Sequence, residues 1–405
     1  MNILQLFNKV PYPPKDGGSV AVFNLSKGFA KAGHKVDLLC LNTNKHFVNI
    51  SEILKKLPVN IRIYSVNINT DIKVIKALKN IIFSELPYIA ERFISRNFEI
   101  KLTELLQSNT YDIIQIEGLY MMPYIPVIRK YSNAIISYRA HNIENEIWKL
   151  NLKYEKNILK KMYLKHLLKR LSQFELSFLN TYDTLIPITA RDGKEFLKLG
   201  NKKPMHISPA GTDYKKYNKS EINLSEIKLF HLGSLDWTPN IEGLTWFLKN
   251  IWTKLISKYP DLKFTIAGRN ASEKLIKTLE SYKNIIFKGE IDNAIDFMQN
   301  YNIMVVPLLS GSGMRIKIIE GMACGNVIIS TPKGAEGINA ENQKEILIAK
   351  NSEDFSKQIE FLISEKNKIK KISEAAKQFI SVNYDNFAIS NSLLNFYSEV
   401  IKTNN

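Results

Sequence analysis

Cysteine is nearly absent from this 405-residue chain, and acidic residues are outnumbered. The two cysteines, Cys40 and Cys324, stand far apart in apolar surroundings with no CxxC spacing. That excludes a zinc finger or a disulfide framework and fits a reducing cytoplasm. No run of about 18 apolar residues occurs, so no transmembrane helix is expected. The short apolar run Asn2–Phe7 lacks a basic flank and leads straight into Pro11-Tyr12-Pro13-Pro14. It reads as a first strand rather than a secretion signal. There are no low-complexity tracts and no repeats with a period of 20–50 residues. The acid deficit leaves 56 Lys+Arg against 39 Asp+Glu, a net charge of +17. Residues 1–200 hold 29 bases and 17 acids, or +12 of that total. A nucleic-acid-binding protein would carry such an excess, but no zinc-finger spacing, ribonucleoprotein aromatic motif or glycine-flanked basic stretch accompanies it. An anionic membrane surface, a diphosphate-bearing substrate, or a plain Lys/Asn/Ile composition bias fits equally well.

What is present is apolar and periodic. Hydrophobic residues make up 45% of the chain and aromatics 10%, enough for well-filled cores, and the length argues for two domains. In the first half, short β-branched runs at Asn2–Phe7, Lys35–Leu41, Ile61–Val66, Asp112–Ile116, Ala134–Tyr138 and Thr184–Ile188 alternate with amphipathic segments such as Val20–Ala32. A long helical stretch is predicted from Trp148 to Leu179. After Ser208-Pro209-Ala210-Gly211, the polar stretch Tyr214–Glu226 reads as a linker. A second alternation follows at Lys228–Leu232, Lys263–Ala267, Ile285–Lys288, Ile303–Val306, Val327–Ser330 and Glu345–Ile348, with helices at Asn240–Lys258 and Arg315–Cys324. Such alternation implies right-handed βαβ units. The fold class is α/β: two Rossmann-like, doubly wound parallel-sheet domains.

In open α/β sheets, ligands bind at the carboxyl ends of the strands, where glycine turns and helix N-termini meet anions. Three turns qualify. Asp16-Gly17-Gly18-Ser19 follows the first strand; a plain β–α connection is the alternative. His231-Leu232-Gly233-Ser234 ends the first strand of the second domain, with Thr238 or Asn240 placed to cap the next helix. The third runs from Leu308 through Gly311, Ser312, Gly313, Met314, Arg315 and Lys317 to Glu320. Two cations open that helix against its own dipole, an inconsistency that points to an anionic ligand. The alternative is a solvated basic face. Glu320 can accept from a vicinal diol such as ribose.

At these residues the chain resembles family 4 of the retaining glycosyltransferases, of the GT-B fold. The likeness covers nearly the whole chain and includes Asp16-Gly17-Gly18, Arg139-Ala140-His141-Asn142, Gly211-Thr212-Asp213, Gly233, Ala267-Gly268-Arg269 and the string Ser312–Gly325. It implies domains at 1–209 and 210–383 facing across a cleft, with 384–405 crossing back to the first. It implies transfer of a hexose-type sugar from a nucleotide sugar to a glycan or lipid-linked acceptor, with retention, in cell-surface polysaccharide biosynthesis. Glu320 matches the second glutamate of the E-x7-E motif, which holds the donor ribose. The first glutamate is replaced by Ser312. Arg and Lys positions that neutralise the diphosphate in many members read Ser234 and Asn240, so Arg315 and Lys317 are expected to take over that role. Glu290 and Ile291 fall where backbone atoms read the nucleobase. His141 falls where a histidine approaches the donor sugar; a satisfied histidine at a strand end is the alternative. Gly268 and Met314 complete the expected donor site.

No persuasive Asp-x-Asp ends a strand, so no metal or other cofactor is expected. Three rivals stay open: a nucleotide-sugar epimerase of the same architecture, a phosphorylase with a lysine-anchored pyridoxal phosphate, and a basic nucleic-acid-binding protein. Between Lys149 and Arg170, eight basic residues and one acid, Glu155, are interspersed with Leu152, Ile158, Leu159, Met162, Leu167 and Leu168. A helix of this kind lies on an anionic bilayer or packs one face on the core. The expected location is therefore the cytoplasm, at the inner face of the plasma membrane.

Overall fold

The computed structural model describes every residue except Lys15, 218–223, Ser312 and Asn405. The chain forms two compact units: Met1–Gly211 with Asn386–Asn405, and Thr212–Asp385. Both are three-layer α/β units around a six-stranded parallel sheet.

In the first unit the strands are β1 (Asn2–Phe7), β2 (Lys35–Thr43), β3 (Ile61–Ile68), β4 (Ile113–Glu117), β5 (Ile135–Ala140) and β6 (Thr184–Pro187). Their order is β3-β2-β1-β4-β5-β6. Helices cover both faces, so β4, β5 and β6 are buried at every position. This is why they lack a regular apolar–polar alternation, and why the polar side chains they do carry, among them Gln115, Glu117, Ser137 and Arg139, are buried too. Helix α1 (Gly17–Lys31) begins at Asp16, whose carboxylate accepts from the Ser19 amide at 3.1 Å. Helix α2 (Val74–Phe83) lies farther along. The long helical stretch expected after Trp148 is two helices, α3 (Glu144–Tyr154) and α4 (Ile158–Ser177). The break comes where Asn157 caps α4 by accepting from the Lys160 amide. Asn is a poor helix-interior residue and a strong cap.

Helix Asn386–Asn404 completes this unit by packing on α1. A Cβ on Gly28 would stand 1.8 Å from Ser390 Oγ, so the two helices meet backbone to side chain with no room to spare. Tyr397 Oη donates to Gln115 Oε1 at 2.7 Å and hydrogen-bonds Ser137 Oγ at 2.8 Å, tying the helix to β4 and β5.

The second unit contains β7 (Lys228–Leu232), β8 (Lys263–Ala267), β9 (Ile285–Gly289), β10 (Ile303–Val306), β11 (Val327–Ser330) and β12 (Leu347–Ile348), in the order β12-β11-β10-β7-β8-β9. Helix α5 (Thr238–Phe247) follows β7. It passes through a π turn, Leu248–Trp252, before a further helix at Thr253–Lys258. The periodic pattern alone made this one continuous helix. Helix α6 (Ile316–Ala323) follows β10. Strand order reverses between β7 and β10, and there the sheet begins to open. The two strands pair only at Ile303–Leu229 and Met304–Phe230. Beyond that, the buried His231 side chain replaces the ladder, its Nδ1 donating to the Val305 carbonyl at 2.8 Å.

The stretch expected as a linker starts inside this unit. Tyr217 is buried, and its hydroxyl accepts from Thr212 Oγ1 at 2.8 Å. Lys219 and Glu221 of that stretch lie outside the described residues. Among the described residues no helix is long and apolar enough to cross a membrane.

Candidate functional site

The opening between β7 and β10 gathers most of the second-unit residues singled out above. Gly233 leaves β7 with its amide donating to the Ala267 carbonyl at 3.1 Å, and Gly268 leaves β8 with its amide donating to Gly289 at 2.8 Å. A Cβ on Gly268 would fall 1.7 Å from the Gly233 carbonyl oxygen, so only glycine lets these two turns touch. On the β10 side, Gly313 adopts φ +79°, the left-handed conformation that turns the loop into α6.

Lys317, in the first turn of α6, reaches back across the gap. Its Nζ donates to the Leu232 carbonyl at 3.0 Å and to Asn240 Oδ1 at 3.1 Å. Asn240 in turn donates to the Ser234 carbonyl at 2.8 Å. Neither Thr238 nor Asn240 caps α5: Trp237 is the cap residue, without a side-chain bond, and Asn240 lies inside the helix facing Lys317. Burial, with the charge of Arg315 added to it, pushes the Lys317 ammonium down to about 7. Its acceptors are neutral oxygens, which leaves a desolvated cation at the carboxyl end of the sheet.

Arg315 sits one step outside the helix, at its cap position, and is buried. Its Nη1 donates to the Gly313 carbonyl at 2.6 Å, and its guanidinium lies 5.3 Å from the centre of the Trp237 ring. Burial lowers it to about 10. A third cation, Arg269, approaches Ser234 Oγ with Nε at 3.5 Å. Glu320 lies one turn into α6. Burial raises its carboxyl to about 7, against a long hydrogen bond of 3.4 Å from Tyr217 Oη. Met314 packs against the neighbouring core, as does Ile291, whereas Glu290 is exposed. Ser312 lies outside the described residues. Among the described residues no three His, Cys, Asp or Glu side chains gather as a metal site.

The remaining candidates belong to the first unit. Gly17 and Gly18 form the first turn of α1, but the Asp16 carboxylate already occupies that helix N-terminus and pairs with Lys9 Nζ at 2.7 Å. The cap thus takes up the Ser19 amide within the chain. His141 follows β5 and is held by a group that sequence reading missed. Its Nε2 lies 2.6 Å from Glu117 Oε2, at the end of β4. Burial pushes the imidazole down and Glu117 pulls it up, leaving it below the usual histidine value. A carboxylate only accepts, so Nε2 carries the proton and Nδ1 presents a lone pair. Glu117 is fully buried with Arg139, whose Nη1 stands 3.3 Å away. Although burial pushes its carboxyl up, Arg139 and His141 hold it below the usual range.

Trp237, Tyr217 and Glu117 carried no local signal. Each is brought to its candidate residue by a contact outside its own element: 103 residues separate Tyr217 from Glu320, and 24 separate Glu117 from His141.

Residues 226–365, the part of the second unit that holds this crevice, match the family described as Glycosyl transferases group 1. An uncharacterized 44.6 kDa protein in the cps region of Klebsiella pneumoniae is 25% identical over 399 residues, 96% of this chain and 98% of its own. Among solved structures, sucrose-phosphate synthase from Thermosynechococcus elongatus superposes with a TM-score of 0.72 at 15% identity, over all of both chains. Anabaena HepE, solved with UDP and with UDP-glucose, gives 0.69 at 13% identity, covering 98% of this chain and all of HepE. The matched domain and the shared fold support a glycosyltransferase of the GT-B fold.

Removing the Glu117 side chain leaves the Arg139 charge buried without its carboxylate. Glu117→Ala is expected to destabilise the protein by about 3–5 kcal/mol, read as a shift in the urea midpoint. A loss below about 1 kcal/mol would show that the pair is not the buried anchor described.

Proposed function

We propose that this protein transfers a hexose-type sugar from a UDP-sugar to a glycan or lipid-linked acceptor with retention of configuration, in cell-surface polysaccharide biosynthesis, without a metal. The observation that carries the reading is buried Lys317 at the β7–β10 opening, whose Nζ donates, among the described residues, to the neutral oxygens of Leu232 and Asn240 at 3.0 and 3.1 Å. A diphosphate supplies the missing anion. Arg315 adds a second charge, and the N-terminus of α6 adds its dipole. UDP is chosen because HepE is solved with it; the cps-region relative favours a polysaccharide product.

Chemically, the bond from the anomeric carbon to the diphosphate oxygen breaks, and the leaving oxygen gathers negative charge. Fixed cations in a dry site stabilise that charge more in the transition state than in the ground state. The leaving diphosphate accepts the acceptor hydroxyl's proton, and attack comes from the same face. Glu320 binds ribose hydroxyls. An epimerase would instead need acid and base groups flanking a sugar carbon; incubation with donor alone and analysis for an interconverted nucleotide sugar separates the two.

Release of UDP from UDP-sugars, with a lipid-extracted glycan acceptor, tests the proposal. Arg315→Ala and Lys317→Ala should each lower kcat by roughly 10²–10³, and EDTA should leave the rate unchanged. Wild-type kcat in both variants would remove the cations from the mechanism. Loss of activity in EDTA with recovery in Mn²⁺ would replace them with a metal.

Affinity for a UDP-sugar should depend on pH on both sides of 7. Lys317 loses its proton near 7 in the free protein, while a bound diphosphate favours the charged form. Binding above pH 7 therefore takes up a proton, and affinity falls as pH rises. Glu320 also titrates near 7, and ribose favours its ionised form, so affinity falls again as pH drops below 7. Calorimetry should show a maximum near neutrality. Lys317→Arg should flatten the alkaline limb and Glu320→Gln the acid limb. A pH-independent affinity would contradict both assignments.

A further inference from the structure

The segment from Lys149 to Arg170 divides its apolar residues in a way its sequence did not reveal. Leu164, Leu167 and Leu171 of α4 are buried in the core, whereas Ile158, Leu159 and Met162 in its first turns are exposed. Helix α2 has the same peculiarity. Ile75, Leu78 and Ile82 share one face, at a spacing of three and four residues, and that face points to solvent. Ala77 and Asn80, on the opposite side, are buried. These six apolar side chains are between 56% and 78% exposed, the inverse of an ordinary surface helix. The two helices are joined, since Arg170 of α4 donates to the carbonyls of Asn80 at 3.0 Å and Ile81 at 2.9 Å.

Lysines frame both faces. Lys76 and Lys79 on α2 and Lys73 at its cap are exposed, as are Lys160, Lys161 and Lys165 on α4 and Lys156 just before it. Residues 156–170 hold six Lys+Arg and no acid. Among the acids flanking the two helices, Glu155 is paired with Lys160 at 2.6 Å, and Asp71 and Glu85 stand exposed at the two ends of α2.

We propose that α2 and the first turns of α4 form a docking surface for an anionic lipid bilayer. The aliphatic side chains enter the acyl boundary, and the lysines reach outward along it to lipid phosphates. The composition separates this partner from its rivals. Protein interfaces are depleted in Lys and rich in Trp, Tyr and Arg, the reverse of this patch. A second copy would set lysine against lysine. The surface lies wholly in the first unit, so its test is independent of the donor site in the second.

The test is flotation with vesicles of phosphatidylcholine alone or mixed with phosphatidylglycerol. The protein should bind the mixed vesicles, release them as salt rises, and ignore the neutral ones. Ile75→Glu with Ile82→Glu should reduce binding at least about tenfold, because both the inserted area and the charge change. Ile158→Glu with Leu159→Glu should do the same from the second helix. All four positions are exposed, so the melting temperature should stay unchanged. Equal binding to both vesicle types, or wild-type binding by both double variants, would overturn the proposal. So would a concentration-dependent dimer that either double variant dissolves, because the face would then be covered by a second copy.

Discussion

The parting of β7 from β10 is the constraint on which the candidate site depends. Two strands that pair at only two positions leave a wedge between them, and a buried wedge must be filled with groups that satisfy backbone oxygens. His231 fills the narrow end by bonding Val305, and Lys317 fills the wide end by bonding Leu232. An ammonium there keeps it chemically incomplete, because burying a charge without a counter-charge is unfavourable. The reversal of strand order that creates the wedge is a property of the fold. The choice of lysine to fill it is a property of this sequence.

The positive charge of the chain therefore has two physical forms. In the second unit a few cations are withdrawn from water. Their influence is strong, short in range and little affected by salt. In the first unit many lysines stand in solvent, where each interaction is weak and decays over about 8 Å at physiological ionic strength. Net charge treats these alike. A titration in salt would separate them, since screening acts on the exposed set and barely on the buried one.

Much of this was legible in the sequence. The bounds of β1, β7, β8, β10 and β11 agree with their largely apolar runs to the residue, because strands covered on both faces are apolar at most positions. The cations opening α6 stood out because they oppose the helix dipole. Other features were hidden for definable reasons. The break before α4 depends on Asn157 acting as a cap, which the surrounding helical pattern masks. The π turn after α5 adds a residue without changing composition. The embedding of Tyr217 in the second unit depends on Thr212 and Glu320, and the Glu117–His141 pair on two strand ends meeting. Such contacts are made by the fold between distant segments, and local periodicity carries no record of them. At Gly17 and Gly18 the turn that reads as an anion site also carries an anion of its own, Asp16, which caps α1 through the Ser19 amide.

Helix Asn386–Asn404 belongs to a unit whose other elements all precede residue 212, and this has a consequence for synthesis on the ribosome. At about 5–20 residues per second, roughly 10–40 s pass between the emergence of the first unit's main segment and that of its last helix. During that interval the second unit, which is continuous, can close. The first waits with α1 uncovered and with Gln115 and Ser137 lacking the Tyr397 hydroxyl. The unit made first is thus the one finished last, and its sheet, complete in strands but uncovered by the last helix, is the nascent species that a chaperone would meet.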